Sequence, residues 1–239
     1  MNRYIVILIL ALAGLGLLLY PMVSSWLYGR DVAAEKQEFL KHTQDPENSG
    51  DDPSPYEELY RFLKAENERL YLTGQAGLVD AFSYQTAGID LSEYGIEDGC
   101  IAYIEIPSIN IEAPVYLGAN TENMSKGAVH LTQTSYPVGG ENTNAVIAAH
   151  RGGVREMFRN IHKIKLGDEI IITNFRETLV YRASEIKIIL PGDIDDVKIQ
   201  EGRDLVTLLS CNPLGQNYQR YCLYCERAPI DESDEQMFF

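Results

Sequence analysis

From Gly99 onward the chain breaks into short apolar runs separated by Gly, Pro and Asn, a texture that reads as strands and turns. The runs cover 101–106, 109–116, 144–149, 169–174, 178–190, 204–211 and 219–228, and the longest has room for two strands. Strands spaced in this way predict a mainly β fold that closes, or nearly closes, into a barrel. Met157, Phe158 and Ile161 are spaced for a helical turn or two within 155–161. A chain of 239 residues with 45% hydrophobic content has ample material for one good-sized core plus an appendage.

The N-terminus is a different kind of sequence. Residues 4–23 are almost all apolar, broken only by Gly14, Gly16 and Pro21. A helix of roughly 20 such residues crosses a bilayer. A signal peptide would have a shorter apolar core followed by a small-residue cleavage site. No Ala-x-Ala follows Leu19, and Tyr20-Pro-Met-Val-Ser-Ser-Trp reads as an interfacial collar, so 1–30 is expected to be a retained anchor. Arg3 precedes the span, whereas Arg30 follows it and leads into acidic sequence. The positive-inside rule then favours a single-pass cell-membrane protein with an extracytoplasmic catalytic domain.

Between residues 31 and 60 nine acidic residues face two lysines, a composition suited to a solvated linker at 31–53, with 33–41 as a short helix. The span is expected to be tethered to the rest, not docked on it. Ser54, Pro55 and Glu57 form a capping box, and Leu59, Phe62, Leu63 and Leu70 recur at helical spacing. They predict a helix over 55–72, stopped near Gly74, inside a helical region 54–98; a barrel at 99–229 and an acidic tail at 230–239 complete the division. The net charge of −15 argues against a nucleic-acid binder, because neutralising phosphates needs extensive clustering of Lys and Arg.

Three residue types with catalytic potential stand at strand ends. Cys211 closes the run 204–211, Arg220 opens the next after a turn carrying Pro213, Gly215 and Asn217, and His150 ends the run 144–149 just before Gly152 and Gly153. A thiol and a guanidinium at the facing ends of neighbouring strands can converge, which gives a thiolate nucleophile its positive partner. Singly, each residue has a plain structural explanation; the joint pattern is what points to chemistry. Cys222 and Cys225 have metal-site spacing, but on a strand residues three apart point to opposite faces, so both are expected to be buried packing. No metal or organic cofactor is called for.

Thr207-Leu-Leu-Ser-Cys211 followed by Asn212-Pro213-Leu-Gly215-Gln-Asn217-Tyr-Gln-Arg220 resembles the active-site strand and turn of the sortases, most of all the pilus-assembling class C group. Ala148-Ala149-His150-Arg151-Gly152 resembles the histidine segment of that family, and further similarity lies in Tyr103-Ile-Glu-Ile-Pro107, Gly127-Ala-Val-His130-Leu and Thr134-Ser135-Tyr-Pro137-Val-Gly-Gly140. The resemblance implies an eight-stranded sortase-type barrel with short helices, and a transpeptidase with Cys211 as nucleophile, His150 as acid/base and Arg220 as oxyanion stabiliser. It implies cleavage of a Leu-Pro-x-Thr-Gly-like sorting signal between Thr and Gly, and transfer of the acyl group to an amine. For a pilus-type enzyme the partners are pilins or other surface proteins and the amine is a pilin lysine. A housekeeping-type sortase would use a cell-wall precursor, a hydrolytic cysteine peptidase would use water, and a non-catalytic anchored domain would leave Cys211 unreactive.

The same resemblance implies a lid, with Asp80 pairing with Arg220 and Phe82 covering Cys211, although the Pro usual between two such residues is here Ala81. His130 is expected to support the site or form its wall. His42 and His162 read as solvated. Ser210 stands where many relatives carry Thr, and Asn212 is a further departure. The acidic tail stands where many class C relatives carry a second span, which leaves anchoring to the N-terminal helix.

Overall fold

The computed structural model describes residues 3–43, 54–80, 88–152 and 157–229. Its apolar runs pair edge to edge until no edge is left. The strands are β1 (Cys100–Ile106), β2 (Ile111–Leu117), β3 (Ala128–His130), β4 (Thr143–Ala148), β5 (Glu169–Asn174), β6 (Thr178–Ile189), β7 (Asp204–Asn212) and β8 (Gln219–Arg227). They close a barrel in the order β1-β2-β3-β4-β7-β8-β6-β5, with β1 pairing back to β5. The β2–β3 and β4–β7 pairs are parallel and the other pairings antiparallel. Closure gives every strand a neighbour on both sides.

Alternate residues along the strands enter two apolar clusters on opposite faces of the sheet. Val206, Leu208, Leu223 and Cys225 join one, and Leu209, Cys222 and Tyr224 join the other. Cys222 and Cys225 are thus buried on opposite faces, as strand periodicity requires. The run at 178–190 is one strand, its register shifted by an irregularity between Ala183 and Glu185. Strand β3 has no counterpart among the sequence runs because three residues are too few to display a period. The helical turn expected at 155–161 is a 3-10 segment, Met157–Lys163.

Helix α2 (Pro55–Leu72) matches its capping signals. The Ser54 side chain accepts from Glu57 N at 3.3 Å, and past the C-terminus Gly74 takes φ +64 while Gln75 N bonds Leu70 O at 3.1 Å. Leu59, Leu63 and Leu70 face the core, whereas Phe62 turns outward at 39% exposure. The fourth buried member of the face is Asn67. It donates to Tyr136 O at 3.2 Å and accepts from Tyr136 N at 2.7 Å, pairing with the loop backbone as a strand would.

The expected linker is corrected over its first part. Helix α1 runs unbroken from Arg3 to Thr43, and its second half is docked on the barrel. Tyr28 donates to Lys126 O at 3.1 Å, Val32 is buried, Lys36 pairs with Glu105 and with Glu112 at 3.0 Å, and Phe39 meets Tyr103 edge to face at 5.4 Å. These four residues form one helical stripe within an acidic composition that reads as solvated. The remainder of the expected linker, 44–53, lies outside the described residues.

Lys36 has a specific task. Glu105 and Glu112 are direct cross-strand partners in the β1–β2 register, a like-charge pair that is unfavourable alone. The ammonium between them reverses that repulsion and ties α1 to the sheet. Replacing Lys36 by Met is expected to destabilise the barrel by about 1 kcal/mol, or about 3 °C in Tm. Adding Glu112→Gln to Lys36→Met should recover part of the loss, measured by thermal unfolding of both variants.

Candidate active site

The barrel brings the three strand-end residues to one place by register. Cys211 and Arg220 are direct Cα partners across the antiparallel β7–β8 pair, so their side chains leave the same face side by side. The connecting turn reverses at Gly215, φ +78, a conformation that favours glycine, and Gln216 N bonds Pro213 O at 3.0 Å. His150 comes from the other neighbour of β7. Parallel pairing of β4 with β7 ends at Ala148 opposite Leu209; beyond it Ala149 N bonds Leu209 O at 3.2 Å and the Ser210 hydroxyl donates to Ala149 O at 2.8 Å. His150 and Cys211 each follow a member of that hydrogen-bonded pair. His150 is exposed, with its carbonyl held by Phe158 N at 3.1 Å.

Arg220 is 5% exposed and fully engaged. One edge of the guanidinium donates to Asn217 O at 2.7 Å and Gln219 O at 3.1 Å. The other edge grips Asp80 through two bonds, Nε to Oδ1 at 2.9 Å and Nη2 to Oδ2 at 2.7 Å, the forked geometry favoured by Arg and carboxylate. With Asp80 seated and Val79 beside it, the cleft bounded by Leu131, Ile189, Val197 and Leu209 is reduced to about 10 Å³. Phe82, the other expected lid residue, lies outside the described residues.

Asp80 changes the electrostatics at Cys211. Burial pushes the thiol above its usual range, Arg220 and Arg151 pull it down, and the Asp80 carboxylate pushes it up again, with a raised pKa as the outcome. The thiolate-favouring field expected from Arg220 is therefore offset while the carboxylate is in place. The remaining thiols are more deeply buried: Cys100 and Cys222 are pushed up to about 12, chiefly by burial, and Cys225 is also raised by burial. Cys211 is the half-exposed thiol of the four.

His130 does not join this group. It is 0% exposed, its Nε2 lies 3.0 Å from Ser135 O, its ring stacks on Tyr136 at 5.0 Å, and burial lowers it to about 4. A neutral imidazole donating to Ser135 O holds the loop after β3 and presents nothing to a substrate. The wall or support role expected of it is corrected to a structural one, because β3 turns this side chain inward. His162 is exposed, as expected.

Arg151 is a site residue that the sequence reading passed over. It is 7% exposed, donates from Nη1 to Asn212 Oδ1 at 2.7 Å and to Cys211 O at 3.3 Å, and lies over the Tyr221 ring at 5.2 Å. Asn212 also donates to Gln219 Oε1 at 3.1 Å, which gives that departure from the family pattern a function as a bridge between Arg151 and β8. The available signal was adjacency to His150, and in sequence alone it resembles any solvated arginine in a Gly-rich loop.

A closed barrel with a half-exposed cysteine facing an arginine across two strands, and a histidine at the next strand end, defines a cysteine-centred barrel protein. The family model for the Sortase domain matches residues 104–228. The chain belongs to the sortase family. Among solved structures, Streptococcus pneumoniae sortase C is 33% identical with a TM-score of 0.69, covering 81% of this chain and 96% of that one. Streptococcus agalactiae sortase C1 in complex with MTSET is 32% identical with the same TM-score of 0.69 and the same coverage, 81% and 96%. Among curated proteins, Bacillus subtilis sortase D is 28% identical over 128 residues, 52% of this chain and 62% of the relative. Listeria monocytogenes sortase A is 26% identical over 126 residues, 52% of this chain and 55% of that protein. The chain thus spans little more than half the length of these two curated relatives.

Replacing Arg151 by Gln removes a cation near the thiol and should move the pH midpoint of Cys211 alkylation by iodoacetamide upward, slowing the reaction at neutral pH on the order of threefold. Arg151→Lys should restore the midpoint, since it keeps the charge.

Proposed function

We propose that this chain is a membrane-tethered cysteine transpeptidase, with Cys211 as nucleophile, Arg220 as oxyanion stabiliser and His150 as acid/base. The observation that carries this reading is the direct cross-strand pairing of Cys211 with Arg220. Arg stays protonated and cannot act as a base, but its N–H groups can donate to a carbonyl oxygen as negative charge builds there.

The reaction begins with departure of Asp80, which frees one edge of the Arg220 fork and lifts a negative charge from beside the thiol. The Cys211 thiolate attacks the carbonyl carbon between Thr and Gly of a Leu-Pro-x-Thr-Gly-like sorting signal, and Arg220 holds the oxyanion. The C–N bond breaks as His150, as imidazolium, gives its proton to the departing glycine amine. A thioacyl group remains on Cys211. An incoming amine then attacks that carbonyl, His150 takes the amine's proton, the C–S bond breaks, and the thiolate is regenerated.

The acceptor is read as a pilin lysine, which yields an isopeptide bond between subunits. Two findings support it: Asp80 occupies Arg220 in the manner of a lid, and the S. pneumoniae relative is described in terms of pilin substrate specificity. Asp80 and the segment after it are accordingly the regulatory part of region 54–98, and the barrel 99–229 is the catalytic domain. Residues 4–23 act as the anchor: Arg3–Tyr20 is a helix long and apolar enough to cross a membrane, and none of it is buried against the protein. The catalytic domain stands outside the cytoplasm.

The test is to incubate the full chain with a sorting-signal peptide and a lysine-bearing pilin fragment or a cell-wall-type amine. Mass spectrometry should find a thioacyl adduct on Cys211 and a peptide–lysine conjugate, and Cys211→Ala should abolish both. Hydrolysed peptide alone would mark a peptidase, and preference for the cell-wall-type amine a housekeeping role. Asp80→Ala should raise the rate of Cys211 alkylation by about tenfold, since it removes the competing carboxylate and opens the cleft. An unchanged rate would count against the lid.

A further inference from the structure

In a chain of net charge −15, residues 159–166 form a basic ledge. Met157, Phe158, Ile161 and Ile164 of this segment turn inward and are buried, which sends Arg159, His162, Lys163, Lys165 and Leu166 outward. Leu166 is 61% exposed in the midst of these cations. Arg159, Lys163 and Lys165 have no ion pair among the described residues. The two acids that follow are committed: Asp168 accepts from Lys165 N at 3.0 Å, and Glu169 pairs with Arg182 at 3.2 Å.

The ledge lies at the end of the barrel nearest the apolar half of α1. Met157 shares a cleft of about 720 Å³ with Tyr20, Val23 and Leu27 of α1 and with Pro107 and Asn110 of the β1–β2 turn; Asp31 also lines it, as do Glu105 and Glu112, which are neutralised by Lys36. That turn is uncharged, and it follows β1, whose Glu105 pairs with Ile171 of β5 just past the ledge. Tyr20 ends the stretch apolar enough to span a bilayer. Helix α1 is unbroken, so at 1.5 Å per residue Tyr28, which bonds the barrel at Lys126, stands about 12 Å beyond Tyr20. The headgroup zone is about 5–7 Å deep on each side of the hydrocarbon core. The barrel is therefore joined to the span within about 12 Å, next to the headgroup surface, with no flexible spacer between span and barrel.

We propose that residues 159–166 dock on the anionic headgroup surface of the membrane that holds α1, with Arg159, Lys163 and Lys165 against lipid phosphates and Leu166 at the acyl boundary. The proposal rests on the reading of α1 as a membrane anchor. Cations clustered around an exposed leucine, beside an uncharged turn, suit an anionic lipid surface. An acidic protein partner would have no need of the leucine or of the adjoining end of the span. Docking also has a consequence for the site, since Phe158 N holds the His150 carbonyl at 3.1 Å and the segment seated on lipid is the one that follows His150. The membrane would thereby fix both the tilt of the barrel and the backbone on one side of the groove.

The experiment uses the full chain carrying Trp26→Phe and Leu166→Trp, which leaves one tryptophan as a depth probe, in nanodiscs with acyl-brominated lipids. Phosphatidylcholine discs are compared with discs holding about 30% phosphatidylglycerol. Tryptophan quenching should be at least about twofold stronger in the anionic discs and should fall with added salt. Adding Arg159→Glu, Lys163→Glu and Lys165→Glu should bring the anionic signal down to the neutral one; all three positions are exposed, and the lipid comparison on the parent chain does not depend on their folding. Equal quenching in both lipids, or none in either while the chain stays embedded in the discs, overturns the docking and leaves the anchor standing. A chain that does not enter the discs overturns the anchor and the docking together.

Discussion

The site depends on the register between β7 and β8. Antiparallel pairing sets Cys211 opposite Arg220, and a slip of one residue in that ladder would send one of the two side chains to the other face of the sheet. The register is held well away from the site by the alternation of Val206, Leu208, Leu223 and Cys225 on one face with Leu209, Cys222 and Tyr224 on the other. Parallel pairing of β4 with the other edge of β7 then sets the level of His150, and Ser210, the neighbour of Cys211, hydrogen-bonds the residue before that histidine. Hydrophobic packing along three strands thus becomes positional accuracy at their ends.

A guanidinium buried to this extent is costly unless its donors are met. Arg220 meets the requirement along one edge with two turn carbonyls and along the other with the Asp80 carboxylate. In the proposed reaction a substrate carbonyl takes the edge that Asp80 now holds. Arg151 adds a second cation that Asp80 does not grip: it holds the Cys211 carbonyl and Asn212 while it lies over Tyr221. The thiol consequently sits between two positive groups that lower its pKa and one negative group that raises it.

Much of this was legible in the sequence because the signals are local. The capping box at Ser54 and Glu57 marked the start of α2, short punctuated runs marked most strands, and strand periodicity alone put Cys222 and Cys225 on opposite faces. The acidic stretch after residue 31 misled for a physical reason. Composition averages over a helix, whereas docking needs only one stripe, and Tyr28, Val32, Lys36 and Phe39 supply it against parts of the barrel domain more than sixty residues away. His130 misled because its surrounding motif matched the family while its burial depends on β3, a strand too short to read.

What the amino-acid order determined by itself was which residues stand at strand ends and which carry chemistry, since those follow from turn formers, polarity and side-chain type. The Asp80–Arg220 pair was implied by the resemblance and is made in the fold; only tertiary structure decided that Arg151 and Asn212 brace the strand of Cys211 and that α1 lies along the barrel. Each of these joins groups distant in sequence through hydrogen bonds and charge pairs whose worth comes from burial, and burial exists only once the barrel has closed.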